Sequence, residues 1–327
     1  MSEEETKYID LSEDEILSWG QGILQTLLLD RTTGHNIYWA TDDYKERGEG
    51  YTFFDEITID KITGKNTRTI QPRILKTLQS QRDRSRNMAE VFTPSWICNA
   101  QNNLVDEAWF GYSDVFNTVN DSGGEHTWTP REGRVKQFPE GKTWQDYVTA
   151  NRMEMACGEA PYLCSRFDAT SGQSFSNLNM RIGILDRKLR IVSENAKEEG
   201  YSDRTAGWRR WAQKAYQATY GFEWQGDNLL LARESLLWTY REFFKERWGY
   251  YPKANALKKI AEIISWNVWQ MDGLTCGLPG RTPTESVEGL NIEVPAEERL
   301  CRVMEWSANR QPSGMPTIFK KLITQNR

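Results

Sequence analysis

Histidine is almost missing from this chain: His35 and His126 are the only two among 327 residues. The five cysteines, Cys98, Cys157, Cys164, Cys276 and Cys301, are irregularly spaced and form no C-x-x-C pair. A thiolate–imidazole metal cluster needs such pairs, so a zinc centre of that kind is excluded. Scattered thiols in odd number fit a reducing compartment rather than a disulfide framework. No apolar run approaches the 18 consecutive residues of a membrane-crossing helix. The start, MSEEE, is acidic where a secretory signal begins basic and then turns apolar. A cytoplasmic protein without membrane contact is the expectation. Positive charge is also in deficit. The formal net charge is -5, and apart from a short run between Arg73 and Arg86 the cations are dispersed among acids. That balance argues against a chain that grips duplex DNA by itself. Gly141-Lys142-Thr143 ends like a P-loop, but Lys136 stands where the first glycine belongs. G-x-S-x-G and H-E-x-x-H signatures are absent.

What is present is a globular composition with 14 tryptophans, anchors for a core and for interfaces. Residues 11–30 read as one helix. Ser12 and Glu15 form a capping box, and Ile16, Trp19, Ile23, Leu24, Leu27 and Leu28 recur at helical spacing. Residues 31–70 read as loops with brief strands. Thr93 and Pro94 read as the N-cap and first position of a helix running through Trp109. Residues 111–143 and 276–300 read as long loops. From residue 150 the pattern becomes strand 153–157, helix after Gly158, helices 181–197 and 205–218, strand 220–224, helices 228–247 and 254–264, strand 266–270. Strands separated by helical crossovers predict a parallel α/β sheet. The expected organisation is a helical region over 1–90 and an α/β domain over 91–327.

Three places in this pattern can carry chemistry. After the first strand, Gly158 permits a tight turn and close approach of a ligand to the backbone, with Glu154 and Glu159 nearby. The plain alternative is an ordinary strand-to-helix turn. Glu223 ends the second strand, where a carboxylate can accept hydrogen bonds from both ribose hydroxyls; a solvated acid is the alternative. Asp272 and Gly273 follow the third strand, where an acid can accept from an adenine amino group. Trp269 and Met271 beside them are either core or pocket wall. Ligands of open parallel sheets sit beyond the carboxyl ends of the strands, which is where all three lie.

The residues then take on a family likeness. The segment 89–94, AEVFTP, resembles the F-x-T-P motif that opens adenine-N6 DNA methyltransferases of restriction–modification systems. The segment 154–163, EMACGEAPYL, resembles their D-P-A-C-G-T-G-x-F-L motif at Ala156, Cys157, Gly158, Tyr162 and Leu163. Glu154 replaces its aspartate, Glu159 its threonine and Ala160 its second glycine. YGFE at 220–223 with ARESLL at 232–237, and NVWQMDGL at 267–274, resemble the next two motifs. The resemblance spans about residues 86 to 275 and implies a partial Rossmann-like domain that binds S-adenosyl-L-methionine. It places Phe92, Thr93 and Pro94 around the methionine portion, and Ala156, Cys157, Gly158, Glu159 and Ala160, with Glu154, in the turn beneath it. It assigns Glu223 to the ribose, Trp224 to the side of the adenine, and Asp272 with Gly273 to the adenine amino group.

One motif is missing. The family holds its flipped adenine with [D/N]-P-P-[Y/F], and this sequence has no two consecutive prolines. The 55 residues after Asp272 leave no room for the later motifs or a target-recognition region. The implied function is the cofactor subunit of a split enzyme, with no catalytic residue of its own. A second protein would bring the catalytic motif and contact double-stranded DNA. The competing expectation is a non-catalytic scaffold that keeps the fold and has lost the cofactor; Glu159 and Ala160 favour it.

Overall fold

The computed structural model describes residues 9, 11–88, 90, 93–120, 122–124, 126–197, 203–279, 284–287, 290–293, 297–306 and 314–324. Ile16, Ile23, Leu24, Leu27 and Leu28 are buried and Trp19 partly so, but 11–30 is not one helix. It divides into Glu13–Ser18 and Ile23–Leu28. Gly20 and Gly22 adopt φ of +156° and +78°, and a Cβ on Gly20 would lie 2.7 Å from the Ala254 Cβ. The break lets the helix Ala254–Asn267 approach closely. Ser12 makes no side-chain cap bond.

The helix Ser95–Phe110 is capped from a distance: the Asp168 Oδ2 accepts the Ser95 amide hydrogen at 2.6 Å, and Pro94 rather than Thr93 is the N-cap residue. The expected loop 111–143 contains an antiparallel hairpin of β1 (Asn117–Asn120) and β2 (Thr127–Pro130).

The centre of the protein is a mixed α/β arrangement around β3 (Arg152–Met155), β4 (Thr219–Glu223) and β5 (Val268–Gln270), parallel and in that order. Helices Ile184–Asn195 and Ala206–Gln217 connect the first pair, and Gly226–Trp248 and Ala254–Asn267 the second. No helix starts directly after Gly158. Ala156 and Ala160 have φ of +49° and +62°, and Ala160 N donates to Cys157 O at 2.7 Å, so the chain turns on itself at this point. The next α-helix begins at Ile184. A left-handed alanine on each side of Gly158 is incompatible with a helix starting there.

The helices and the N-terminal segments share one apolar cluster, from Ile16 and Leu27 through Trp39 and Leu189 to Leu230 and Ile260, which therefore crosses residue 90. The opposite face of the sheet carries Phe222 and Trp269. It is covered by Cys276, Leu278, Cys301, Val303 and Phe319. Within the described part of 276–300, β6 (Thr284–Val287) pairs with β7 (Leu290–Glu293). The last hairpin, β8 (Arg302–Glu305) and β9 (Met315–Ile318), is followed by the helix Phe319–Thr324. These terminal elements lie over β4 and β5: the Tyr220 hydroxyl donates to Met304 O at 3.1 Å, and the Phe319 and Trp269 rings are 5.1 Å apart.

Strand β3 is left at an edge. Among the described strands it pairs with β4 alone. Met153 and Met155, which share a face with Tyr220 and Phe222 through the register, are 44% and 70% exposed. None of the described helices is long and apolar enough to cross a membrane.

Candidate functional site

The carboxyl ends of β3, β4 and β5 open into a cleft of about 860 Å³. Its floor is the turn Ala156–Gly158 with Glu154 and Met155. Glu223 and Trp224 form its centre, and Met271 and Gly273 its third-strand side. Most of the expected site residues are thus gathered in one place.

Glu223 is the best-defined group. It is 8% exposed, and its Oε2 accepts the Gly158 amide hydrogen at 2.8 Å while Oε1 accepts that of Gln225 at 3.2 Å. Burial pushes this carboxyl up, and the two amide donors pull against that push. Glu154 lies under the turn, where the Leu163 amide donates to it at 3.2 Å; burial raises it well above the ordinary carboxyl range. Gly158 itself has φ of +52°.

Other expected residues face elsewhere. Ala160 is fully buried in the main apolar cluster, on the far side of the turn from the cleft. Glu159 points away as well. Its Oε1 accepts the Arg73 amide hydrogen at 2.7 Å, and burial lifts it to about 7 against the relief of that bond and of Lys76. Asp272 is occupied by its own loop: Oδ1 accepts the Leu274 amide at 2.8 Å and Oδ2 the Thr275 hydroxyl at 3.0 Å. Pro94 does not line the cleft, whereas Thr93 does. Phe92 lies outside the described residues. Trp269 belongs to the core and Met271 to the wall.

The sequence reading missed the opposite wall, built by the N-terminal region from Ala40, Phe53, Arg86 and Glu90. Phe53 stands 6.0 Å from Trp224, ring to ring, at 55°. Its position 171 residues before Trp224 offered no local signal. Arg86 ends the basic run already noted, and Glu90 stands three residues before Thr93.

A buried ionic cluster fastens this wall. Asp227, in the first turn of the long helix, is fully buried and accepts from the Tyr44 hydroxyl at 2.8 Å and the Lys76 ammonium at 3.1 Å. The Arg84 guanidinium reaches Asp227 at 3.0 Å, Asp43 at 2.6 Å and the Gln225 side-chain oxygen at 2.8 Å, and its Nε donates to Glu90. Burial works against the Asp227 charge, but Arg84 and Lys76 hold that carboxyl well below its usual range. Three separate N-terminal segments are thereby tied to the turn that follows Glu223.

Among the described residues, the lining therefore combines the carboxyl groups of Glu90, Glu154 and Glu223 with the guanidinium of Arg86 and the rings of Phe53, Tyr162, Phe222 and Trp224. Such a set suits a ligand with an aromatic base, hydroxyls and positive charge. All five cysteines are free and buried, and burial raises Cys98 to about 12, which makes it a poor nucleophile. Among the described residues, no group of three or more His, Cys, Asp or Glu is arranged to hold a metal ion. No protein-family model, curated protein or solved structure matches this chain.

Proposed function

We propose that this chain is the S-adenosylmethionine-binding subunit of a split DNA adenine-N6 methyltransferase, of a restriction–modification or mobile-element system, whose catalytic motif comes from a second protein. The carrying observation is Glu223, held by the Gly158 amide at the end of the middle parallel strand and lining a cleft that all three strand ends share. In this reading the three strands are part of a Rossmann-like sheet. Glu223 accepts from the ribose hydroxyls, Trp224 and Phe53 flank the adenine, and Thr93 with the Ala156–Gly158 turn borders the methionine portion. The acid-rich lining fits a sulfonium ligand. When bound, that ligand supplies an electrophilic methyl group; this chain binds and orients it and keeps water from it.

The partner enters through β3. Its outer edge offers N–H and C=O groups to a further strand, and the exposed Met153 and Met155 offer an apolar face beside them. A strand added there would stand next to the cleft, which Met155 and Ala156 also line. Double-stranded DNA is then contacted through the complex.

A scaffold that no longer takes cofactor is the second reading. It is favoured by the internal bonds that already occupy the carboxylates of Glu223 and Asp272. Calorimetric titration of the purified chain with S-adenosylmethionine separates the two: saturable one-to-one binding supports the cofactor subunit, and no heat or displacement up to millimolar ligand supports the scaffold.

A further inference from the structure

Among the described residues, two side chains lining the cleft carry a buried oxygen without a partner, Asn228 and Glu90, and of these two Glu90 is the carboxylate. Glu90 is 8% exposed and lines the cleft, and its Oε2 is held by the Arg84 Nε. Its Oε1 is buried and has no hydrogen-bond partner among the described residues. A buried carboxylate oxygen without a donor is costly, and such atoms in native proteins call for a partner supplied from elsewhere. The cost is sustained because Arg84 is itself fixed by Asp227, Asp43 and Gln225. Arg86, four residues before Glu90, is exposed and lines the same cleft.

We propose that Glu90 presents Oε1 to the cleft as the acceptor for a ligand's α-ammonium group, with Arg86 receiving the accompanying carboxylate, so that this wall recognises a free amino-acid end. The proposal rests on reading the cleft as an adenosyl site and adds the part of the ligand that the N-terminal wall reads. The chemistry is specific. An ammonium donates three hydrogens and carries charge, so a carboxylate with one oxygen held by Arg84 and the other without a donor suits it. A guanidinium fork suits a carboxylate. The two groups sit together on the segment that the buried ionic cluster holds against the sheet.

The test uses the full chain and three ligands: S-adenosylmethionine, its decarboxylated form, and 5′-methylthioadenosine, which lacks the amino-acid end altogether. Glu90→Gln keeps the shape and the bond to Arg84 and removes the charge. It is expected to weaken S-adenosylmethionine binding about tenfold or more while leaving methylthioadenosine affinity unchanged. Arg86→Gln, at an exposed position where folding is not at risk, is expected to abolish the preference for S-adenosylmethionine over its decarboxylated form. Equal losses for S-adenosylmethionine and methylthioadenosine in Glu90→Gln would mean that Glu90 only shapes the wall, and would overturn the proposal. So would unchanged affinity, or a wild-type chain that binds methylthioadenosine as tightly as S-adenosylmethionine. A wild-type chain that binds none of the three overturns the adenosyl-site reading itself.

Discussion

The Gly158 amide hydrogen lies on the Glu223 carboxylate, 2.8 Å from nitrogen to Oε2, across the ends of two neighbouring parallel strands. One bond thus joins the turn after β3 to the last residue of β4 and fixes the carboxylate at the floor of the cleft. In the proposed site a ribose would share this carboxylate with the backbone, which a carboxylate can do because each oxygen accepts more than one donor. Glu223→Ala removes the ribose acceptor and the anchor of the turn together. Its expected effect is a loss of roughly tenfold or more in affinity for S-adenosylmethionine. Methylthioadenosine should lose the same factor, since both ligands carry the ribose. Wild-type affinity in Glu223→Ala, measured by calorimetry, would remove Glu223 from the site.

Methyl transfer by this chain alone should be undetectable. Adenine N6 must be held out of its stack and its developing charge met by an acceptor. The cleft lining offers carboxyls toward a cofactor and no Asn/Asp-Pro-Pro-aromatic segment for a base. Incubation of homogeneous protein with labelled S-adenosylmethionine and adenine-containing duplexes checks this. Labelled N6-methyladenine above background would mean that the catalytic groups lie within these 327 residues after all.

How much of this was legible in the sequence differs from element to element. The three central strands and their crossover helices were placed within a few residues; the helices Ile184–Asn195, Ala206–Gln217 and Ala254–Asn267 are amphipathic, whereas Gly226–Trp248 and the strands Thr219–Glu223 and Val268–Gln270 are buried on nearly all sides. Interruptions were less legible. Gly20 and Gly22 split the first helix because another helix passes within contact, a tertiary cause with no local pattern. Ser12 leaves its expected capping box unused, whereas Thr143 and Asp146 form one. Asp272 illustrates competition: an acid at a strand end resembles a ligand group, but in a D-G-x-T sequence its carboxylate can bond the next loop's own donors. Phe53 and Glu90 lie on irregular segments and Arg86 near the end of the helix Leu78–Met88, and a buried ion cluster holds this region to the cleft, which pattern reading does not foresee.

Glu159 makes stability fall as pH rises toward neutrality. Its carboxyl is buried, and its pKa of about 7 exceeds the ordinary 4.5 of a glutamate. The folded state therefore binds the proton more tightly than the unfolded chain. The stabilising contribution is full below about pH 4.5 and is lost as pH climbs through about 7. Glu159→Gln mimics the protonated acid and keeps an acceptor for the Arg73 amide. At pH 8 it should be more stable than wild type by about 1–3 kcal/mol, and at pH 4.5 equally stable. Urea denaturation at the two pH values checks this; a variant less stable at pH 8 would show that the charged form is the one the fold favours.

The buried acid Asp227 works in the opposite direction. Held low by Arg84 and Lys76, it contributes stability that is present above its ordinary 3.8 and is lost as pH falls through its lower folded value. Asp227→Ala leaves Arg84 and Lys76 without their common partner and should cost about 3–5 kcal/mol. Asp227→Asn should cost less. The asparagine oxygen can still accept from Arg84, Lys76 and the Tyr44 hydroxyl, which an alanine cannot. Equal denaturant midpoints for the Ala and Asn variants would show that the hydrogen bonds accepted at position 227 are not what holds the wall.

The edge of β3 yields the prediction on which the split-enzyme reading depends most. Arg152 N donates to Ala218 O, so that amide faces β4, and the strand's alternation holds from there to Met155; past the left-handed Ala156, Cys157 N donates to Phe222 O. Between them, alternation along the strand turns the Met153 and Met155 amides outward. The last hairpin, which offered a way for the chain to cover this edge itself, lies instead over β4 and β5, where Tyr220 reaches Met304. In the isolated chain, then, the amides of Met153 and Met155 should exchange with solvent orders of magnitude faster than those of Tyr220 and Phe222 in the middle strand. Met155→Lys should leave the melting temperature nearly unchanged, because the side chain it replaces is 70% exposed. A partner that adds a strand here would slow both outward amides and be repelled by the lysine, which native edges use to block pairing. Hydrogen exchange read residue by residue decides the matter. Slow exchange at Met153 and Met155 in the chain by itself would mean that the edge is closed from within, and a partner strand would have nowhere to pair.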